Sequence, residues 1–208
     1  MAKDPNLKDV YAISSQDGLN ALYREWAHSY DTGFSEAQGY QLPRAVAQAF
    51  LGAGGTGPVL DVGGGTGLVA EHLTSLGVTT IDALDLSDDM LGVARMKGIY
   101  RDLIRADIKQ KLPSTTPSYR GIVSAGTFTL GHVGPEGIGN LLGVADTGAV
   151  IVISVNAAHF ESAGFAAELD TQKSEIVSLK MQDVRIFDDR ADDAHRNDIA
   201  RLLIFRKA

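Results

Sequence analysis

The stretch VLDVGGGTGLVA, residues 59–70, constrains the fold of this chain more than any other feature. A short apolar run leads into a turn with glycines at Gly63, Gly65 and Gly67, and then into a pattern typical of a helix. Glycines permit a sharp turn and a close approach of ligand to backbone, and the free N–H groups at the start of a helix attract an anionic group. The stretch therefore predicts a strand–turn–helix unit whose turn binds the anionic part of a ligand.

The same alternation of strand and helix patterns continues beyond residue 58. The predicted strands cover 58–63, 79–87, 103–108, 121–128, 149–157, 183–188 and 199–207, and the predicted helices cover 67–76, 88–97, 135–143 and 158–170. Near-continuous apolar strands separated by helices indicate an α/β fold, a doubly wound and mostly parallel sheet with helices on both faces. The last two strands are joined by a polar loop with no room for a helix, which permits antiparallel pairing.

The first part of the chain has a different character. A helix is predicted over 42–51, with Pro43 in its first turn, where the missing N–H costs little. The Gly- and Pro-rich stretch 51–58 then reads as a loop. At 208 residues the chain has the size of one domain. We therefore expect residues 1–57 to form an N-terminal helical segment that covers the site, and residues 58–208 to form the core.

Composition narrows the classes of partner. The formal net charge is -7 and no cluster of Lys and Arg is visible, which argues against nucleic acid or an anionic membrane. The chain has no cysteine, which excludes disulfides, thiolate metal sites and a cysteine nucleophile. The first residues lack the apolar run of a secretion signal, and no run of about 18 apolar residues exists. We expect a cytoplasmic protein, a monomer or a homodimer.

The spacing of the glycine turn distinguishes between nucleotide ligands. A dinucleotide fingerprint, G-x-G-x-x-G, that starts at Gly63 would end on Leu68 instead of a glycine. The turn also lacks the lysine that a phosphate-binding loop requires. The pattern therefore disfavours both NAD and a nucleoside triphosphate.

Acidic residues mark the first three predicted strands. Asp61 lies inside the first strand, where a carboxylate would repel a pyrophosphate and attract an ammonium group. Asp85 ends the second strand, a position from which an acid accepts hydrogen bonds from ribose hydroxyls. Asp107 lies at the end of the third strand and can accept a hydrogen bond from an adenine amino group, while Ile108 supplies apolar contact and a backbone N–H. An amino acid, a ribose and an adenine together describe S-adenosylmethionine.

Two of these acids have simpler explanations. Asp85 can cap the helix that begins near residue 87 or 88, and this role is compatible with ribose binding. Asp107 can be an ordinary acidic residue of a loop. The cofactor interpretation depends on the glycine turn and all three acids together, because a single motif carries a high risk of coincidence.

Three stretches in this order resemble the class I S-adenosylmethionine-dependent methyltransferases. VLDVGGGTG resembles their first motif, DLSDDML their acidic ribose-binding motif and RADI their adenine-binding motif. The resemblance extends over roughly residues 20 to 208. It implies a Rossmann-like seven-stranded sheet with an antiparallel last strand, and it adds Leu86 and Ser124 to the residues expected to bind the cofactor. The stretches LYREWAHSYD…GYQLP and SAGTFTLGHVGPEGI also resemble a methyltransferase-like subgroup that includes the Williams–Beuren region protein.

Aromatic residues recur at helical spacing in the stretch 18–31. Tyr23, Trp26 and Tyr30 would lie on one face of a helix. Aromatic rings attract a sulfonium through cation–π interaction, so these three residues are candidates for a lid over the cofactor. The alternative is that the aromatic face packs against the core.

His132 is the best-placed candidate for a catalytic base. It follows the fourth strand, on the edge where such sheets bind ligands. The alternative is that it is an ordinary surface residue. Catalysis by metal would require acids and an Asn that converge on this edge, and Asp146, Asn156 and Asp170 are too scattered in sequence to support it. We therefore expect no metal.

These inferences predict an enzyme that transfers the methyl group of S-adenosylmethionine to a small-molecule acceptor by in-line displacement. Because the signals concern the cofactor, two alternatives stay open. The chain can be a binding protein for S-adenosylmethionine or S-adenosylhomocysteine that acts as a sensor or regulatory subunit, or it can methylate a protein side chain. An NAD(P)-linked oxidoreductase conflicts with Leu68 and Asp61.

Overall fold

The computed structural model describes residues 18, 21–22, 24, 26–27, 29–113 and 116–208. The strands of this part of the chain are β1 Val59–Val62, β2 Ile81–Asp85, β3 Asp102–Arg105, β4 Tyr119–Phe128, β5 Ala145–Asn156, β6 Ile176–Arg185 and β7 Ile199–Lys207. The α-helices are α1 Leu42–Gly52, α2 Leu68–Ser75, α3 Asp88–Lys97, α4 Glu136–Val144, α5 Ala157–Ser162 and α6 Phe165–Thr171. A short π-helix, Tyr30–Glu36, precedes α1.

The seven strands form one sheet in the order β3-β2-β1-β4-β5-β7-β6. Strands β1 to β5 pair in parallel, whereas β7 pairs antiparallel with both β5 and β6. This is the seven-stranded, mostly parallel sheet with an antiparallel last strand that the sequence predicts. The short polar loop between β6 and β7 allows the antiparallel pairing, because adjacent antiparallel strands need no crossover helix.

Apolar residues cover both faces of the sheet. On one face, Ile138 and Phe165 from α4 and α6 belong to the same buried cluster as the strand residue Ile151. On the other face, Phe50 of α1 and Leu73 of α2 pack in a second cluster. Helices therefore protect both faces, as the near-continuous apolar strands predict.

Two elements differ from their predicted bounds. The predicted helix 158–170 is divided into α5 and α6 at Gly164, which has φ 86°, a left-handed conformation that a continuous helix cannot contain. The predicted strand 183–188 starts earlier, as β6. Most residues of β6 are exposed and its register shifts between Val177 and Lys180, so apolar alternation does not identify its first half.

The segment before β1 is in close contact with the core. Helix α1 begins with Pro43 in its first turn, as predicted, and buries Val46 and Phe50 against the sheet. The predicted helical face over 18–31 ends in the π-helix, whose Phe34 is buried. The domain boundary at residue 57 stays a prediction. In the described ranges, no helix is long and apolar enough to cross a membrane.

The glycine turn after β1 depends on a close contact with β4. Gly63 has φ 65°, and a Cβ atom on it would overlap the side chain of Thr127. Gly67 has φ 101° and forms the N-cap of α2. Both positions thus require glycine: Gly63 because of its close contact and its backbone conformation, and Gly67 because of its backbone conformation.

A buried acid holds the other end of the sheet together. Asp82 of β2 is 1% exposed. Its carboxylate accepts hydrogen bonds from Arg101 Nε at 2.8 Å and Nη2 at 2.5 Å, and from the Tyr119 hydroxyl at 2.9 Å. These bonds link the loop before β3 and the start of β4 to β2, and they compensate the cost of burying the charge.

We expect Gly63→Ala to destabilise the fold more than Gly98→Ala. Gly98 has the same φ, 65°, but no atom lies within 4 Å of a Cβ placed on it. Gly98→Ala should therefore cost only the backbone strain, about 1–2 kcal/mol. The overlap with Thr127 should add about 1–3 kcal/mol in Gly63→Ala. Urea unfolding of both variants measures the difference, and equal losses would contradict the close packing of the turn.

We also expect Arg101→Met to lower the free energy of unfolding by about 2 kcal/mol, because the buried carboxylate of Asp82 loses two hydrogen bonds from a charged group. Lys173→Met is the matched control, since Lys173 pairs with Asp170 on the surface, where both side chains are over 70% exposed. That substitution should cost about 0.5 kcal/mol or less. Thermal and urea unfolding measure both effects, and similar small losses would show that the Asp82 cluster does not stabilise the fold.

Candidate functional site

A cleft of about 1030 Å³, partly open to solvent, lies at the carboxyl ends of the parallel strands. Its walls come from the segments that follow β1, β2, β3 and β4, with additional contacts from the front segment. The strand order reverses between β1 and β4, and open α/β sheets bind ligands at such a point. The wall residues at the carboxyl ends of the four strands are 63–66, 85–87, 106–109 and 125–127.

Asp85 connects two walls of the cleft. Its carboxylate accepts hydrogen bonds from the backbone N–H of Gly65 and of Ser87, each at 2.8 Å. Burial raises the pKa of Asp85, and these backbone bonds act in the opposite direction. The sequence also allowed Asp85 to cap helix α3. In the structure the capping residue is Ser87, whose hydroxyl accepts a hydrogen bond from the Met90 N–H. Asp85 and its neighbour Leu86 both line the cleft.

Asp61 lies behind the glycine turn and is fully buried. One carboxylate oxygen accepts a hydrogen bond from the Tyr100 hydroxyl at 2.7 Å, and the other oxygen has no hydrogen-bond partner in the described part of the chain. Burial raises the pKa of Asp61 to about 7, while the Tyr100 bond lowers it and the nearby Asp85 raises it further. Asp61 is not among the residues that line the cleft, so it acts on this region through its charge and through the turn.

The far wall of the cleft contains the residues predicted to contact an adenine. Asp107 and Ile108 both line it, between Ala106 and Lys109. The Asp107 carboxylate accepts a hydrogen bond from the Lys109 N–H at 2.9 Å, which fixes its orientation at the rim.

Ser124 takes a different position from the one implied by the resemblance. It is buried beneath the turn and donates a hydrogen bond to the carbonyl of Val62 at 2.7 Å. The residues of β4 that line the cleft are its next three, Ala125, Gly126 and Thr127. Ser124 therefore supports the turn from below.

The predicted aromatic lid is divided between two cavities. Tyr30 lines the cleft, whereas Trp26 is 1% exposed and lines a second cavity behind it. Tyr23 lies outside the described residues. Tyr40 also lines the cleft, and it was not predicted because it belongs to no helical repeat in the sequence.

The second cavity, here called the aromatic chamber, contains about 570 Å³ of space and is partly open to solvent. It shares Tyr30, Tyr40, Gly126 and His132 with the cleft, so the two cavities meet at a common wall. Its remaining lining residues are Trp26, Phe34, Leu42, Phe128, Thr129, Ser154, Asn156, Ile186 and Phe187. No motif in the sequence predicts this cavity.

His132 lies at the junction of both cavities. Its Nδ1 is 3.2 Å from the carbonyl oxygen of Leu130, so the neutral ring donates there and carries its lone pair on Nε2. Burial lowers the pKa of His132, which favours this neutral form. The loop is held from the other side by His159, whose Nε2 lies 3.1 Å from the Val133 carbonyl.

A polar cluster connects the front segment to the glycine turn. Asp31 of the π-helix accepts a hydrogen bond from the Thr66 hydroxyl at 2.5 Å. It also forms an ion pair with Lys97, at a distance of 2.6 Å. Lys97 also pairs with Glu71 at 3.0 Å. This cluster holds the segment that carries Tyr30 against the turn, and no sequence motif signals it.

Within the described residues, no group of three or more His, Asp or Glu side chains forms a possible metal site.

Comparison with known proteins identifies the type of domain. Residues 59–146 match a family model described as a methyltransferase domain. A human protein, Methyltransferase-like protein 27, is 32% identical over 117 residues, which cover 54% of this chain and 47% of that protein. The chain thus spans about half the length of the curated relative it matches.

Solved structures share the fold at low sequence identity. Magnesium protoporphyrin IX methyltransferase from Synechocystis PCC 6803, solved with S-adenosylmethionine, has a TM-score of 0.62 and 17% identity, over 91% of this chain and 97% of that one. The N-methyltransferase NodS from Bradyrhizobium japonicum WM9, solved with S-adenosylhomocysteine, has a TM-score of 0.59 and 16% identity, over 79% and 85%. The matched domain, the human relative and the common fold agree with the three sequence motifs, so residues 59–146 are similar to a methyltransferase domain and the chain shares the fold of solved methyltransferases.

Proposed function

We propose that this chain transfers the methyl group of S-adenosylmethionine to a small-molecule acceptor. The observation that carries the proposal is the common wall of the cleft and the aromatic chamber, formed by Tyr30, Tyr40, Gly126 and His132. A methyl donor in the cleft and an acceptor in the chamber would meet across this wall. Such an arrangement provides the proximity that methyl transfer requires.

The residues of the cleft fit the parts of the cofactor. The glycine turn would bind the carboxylate of the methionine part through its N–H groups. Asp85 and Leu86 would hold the ribose, and Asp107 and Ile108 would hold the adenine. The cofactor supplies an electrophilic methyl group on a sulfonium, so the protein needs mainly to bind and orient.

Asp61 fits the ammonium group of the methionine part. Its buried carboxylate has one oxygen without a partner in the described part of the chain, directly behind the turn. A positive charge at the turn would compensate this negative charge. The same charge would oppose a pyrophosphate, which supports S-adenosylmethionine over NAD.

His132 would accept a proton from the acceptor. Because its pKa is lowered, the ring is neutral at physiological pH and its Nε2 is the proton-accepting atom. Tyr30, which lines both cavities, would cover the sulfonium. The Asp31 cluster would keep this ring in position, since it fixes the π-helix to the turn.

A small acceptor agrees with the shape of the chamber. The front segment and the β6–β7 connection line it with Trp26, Phe34 and Phe187, which pack together and leave it only partly open to solvent. A cytoplasmic location and a monomeric or homodimeric state remain predictions from the sequence.

Isothermal titration of the chain with S-adenosylmethionine, S-adenosylhomocysteine and NAD tests the cofactor assignment. We expect the two adenosyl ligands to bind and NAD not to bind. Asp85→Ala should weaken the binding of S-adenosylmethionine by about 1–3 kcal/mol, because hydrogen bonds to a charged group are lost. It should also reduce stability, since the carboxylate holds the turn.

Asp88→Ala is the matched control for the ribose site. Asp88 is exposed at the start of α3 and pairs with Arg105 on the surface, so its removal should leave adenosyl binding unchanged. An unchanged affinity in Asp85→Ala would refute the ribose assignment. Equal binding of NAD and of the adenosyl ligands would refute the cofactor.

Asp61 predicts how cofactor binding depends on pH. The carboxyl has a pKa of about 7 in the folded chain, and a bound ammonium group would favour its ionised form. The affinity should therefore rise as the pH increases through about 7, and binding below that pH should release a proton. Titrations in two buffers of different ionisation enthalpy count this proton.

Asp61→Asn tests the same group through stability. The unfolded carboxyl ionises near 3.8 and the folded one near 7, so ionisation of Asp61 favours the unfolded state as the pH rises across this window. The variant can still accept the Tyr100 hydrogen bond and has no charge to bury. Relative to the native chain it should gain stability between about pH 4 and 7, and lose the proton release on binding. A constant difference across this window would contradict the raised pKa.

A further inference from the structure

We infer that the aromatic chamber binds an uncharged aromatic compound and that a hydroxyl group on its ring receives the methyl group. This inference rests on the proposed methyl transfer and adds the chemical class of the acceptor. Four features of the chamber support it: its rings, the absence of charged side chains among its described lining residues, its polar positions and His132 at the wall it shares with the cleft.

The rings of the chamber form one connected set. Trp26 lies 4.8 Å from Phe34 and 5.1 Å from Tyr30, measured between ring centroids. On the opposite side, Phe187 lies 6.0 Å from Phe34 and 5.8 Å from Tyr40. The pairs are tilted or edge-on, so the rings present both faces and edges to the cavity. A flat aromatic ligand can make the same offset and edge contacts, which an aliphatic ligand of equal size cannot.

The charge of the chamber excludes several acceptor classes. No Asp, Glu, Lys or Arg is among the described residues that line it, and the lowered pKa of His132 keeps that ring neutral. A carboxylate or a phosphate group would lose its hydration without gaining a charged partner. An uncharged molecule avoids this cost.

Polar groups occupy only a few positions of the lining. Ser154 accepts a hydrogen bond from the Gly126 N–H at 2.9 Å, and its own hydroxyl is a donor. Asn156 accepts from the His159 N–H through Oδ1, and its amide nitrogen can donate. These groups suit a ligand that has one or two polar substituents on an apolar ring.

His132 indicates which substituent reacts. A ring hydroxyl has a pKa of about 10, so its proton must leave as the oxygen is methylated. The oxygen forms a bond to the methyl carbon, the carbon–sulfur bond breaks with its electron pair remaining on sulfur, and the hydroxyl proton passes to Nε2 of His132. An aromatic amine already has a neutral lone pair and needs no base, so a neutral His132 at the common wall favours the hydroxyl.

The single tryptophan of the chain provides a direct test of binding. Trp26 lines the chamber, so the one tryptophan indole N–H resonance reports on its occupancy. The chain saturated with S-adenosylhomocysteine would be titrated with para-methylphenol, para-methylbenzoate and para-methylcyclohexanol. We expect the phenol to shift this resonance and to bind at least about tenfold more tightly than the other two compounds, a difference of about 1.4 kcal/mol.

The outcomes separate this inference from the proposed function. If S-adenosylhomocysteine binds but the benzoate or the cyclohexanol binds as tightly as the phenol, the acceptor class is wrong and the methyltransferase proposal stands. If the phenol binds without shifting the Trp26 resonance, the chamber is the wrong site. If S-adenosylhomocysteine does not bind, the proposed function fails, and this inference fails with it.

His132→Gln tests the reacting group through turnover. With para-methylphenol and S-adenosylmethionine, the variant should lose roughly 100-fold in kcat with little change in KM. Its rate with para-methylaniline should change much less, because that acceptor needs no base. His72→Gln is the control, since His72 lies on α2 and lines neither cavity. An equal loss with both acceptors would show that His132 only shapes the chamber.

Discussion

The hydrogen bonds of Asp85 organise the site on which the proposed chemistry depends. One carboxylate at the end of β2 holds the N–H of Gly65 in the turn after β1 and the N–H of Ser87 at the start of α3. Two separate strand–loop–helix units are thereby fixed relative to each other. The cleft between them keeps its shape because a carboxylate that accepts two backbone hydrogen bonds has little freedom to move.

This arrangement places two acids close together, the fully buried Asp61 and the half-buried Asp85. Asp85 raises the pKa of Asp61, and burial raises the pKa of both. A cavity with buried negative charge is costly until a positive group enters it. The electrostatics of the turn therefore select a ligand that combines an anionic group, for the backbone N–H groups, with a cationic one. A zwitterionic amino acid meets both conditions, and a pyrophosphate meets only the first.

The residues of the cleft can be predicted from the sequence because each of its walls is a short continuous stretch of chain. Each wall is a short segment that follows a parallel strand, so an acid or glycine at a strand end marks its own position in space. Ser124 shows the limit of this reasoning, since side chains alternate along a strand and its hydroxyl points beneath the turn to Val62. The predicted strand 183–188 begins later in the sequence than the observed strand β6. The reason is that an exposed strand on the edge of a sheet has little apolar pattern to detect.

The aromatic chamber could not be predicted because it joins parts of the chain that are far apart. Tyr40 pairs with Phe187 in an isolated bridge, and the Gln41 N–H donates to the Ile186 carbonyl at 2.8 Å. The front segment and the β6–β7 connection thus form one wall, although they are about 150 residues apart in the sequence. Neither segment contains a recognisable motif. Loops can change while the scaffold that holds the cofactor stays the same. Similarity to known methyltransferases therefore supports the choice of methyl donor, whereas the acceptor has to be argued from the contacts of this particular chamber.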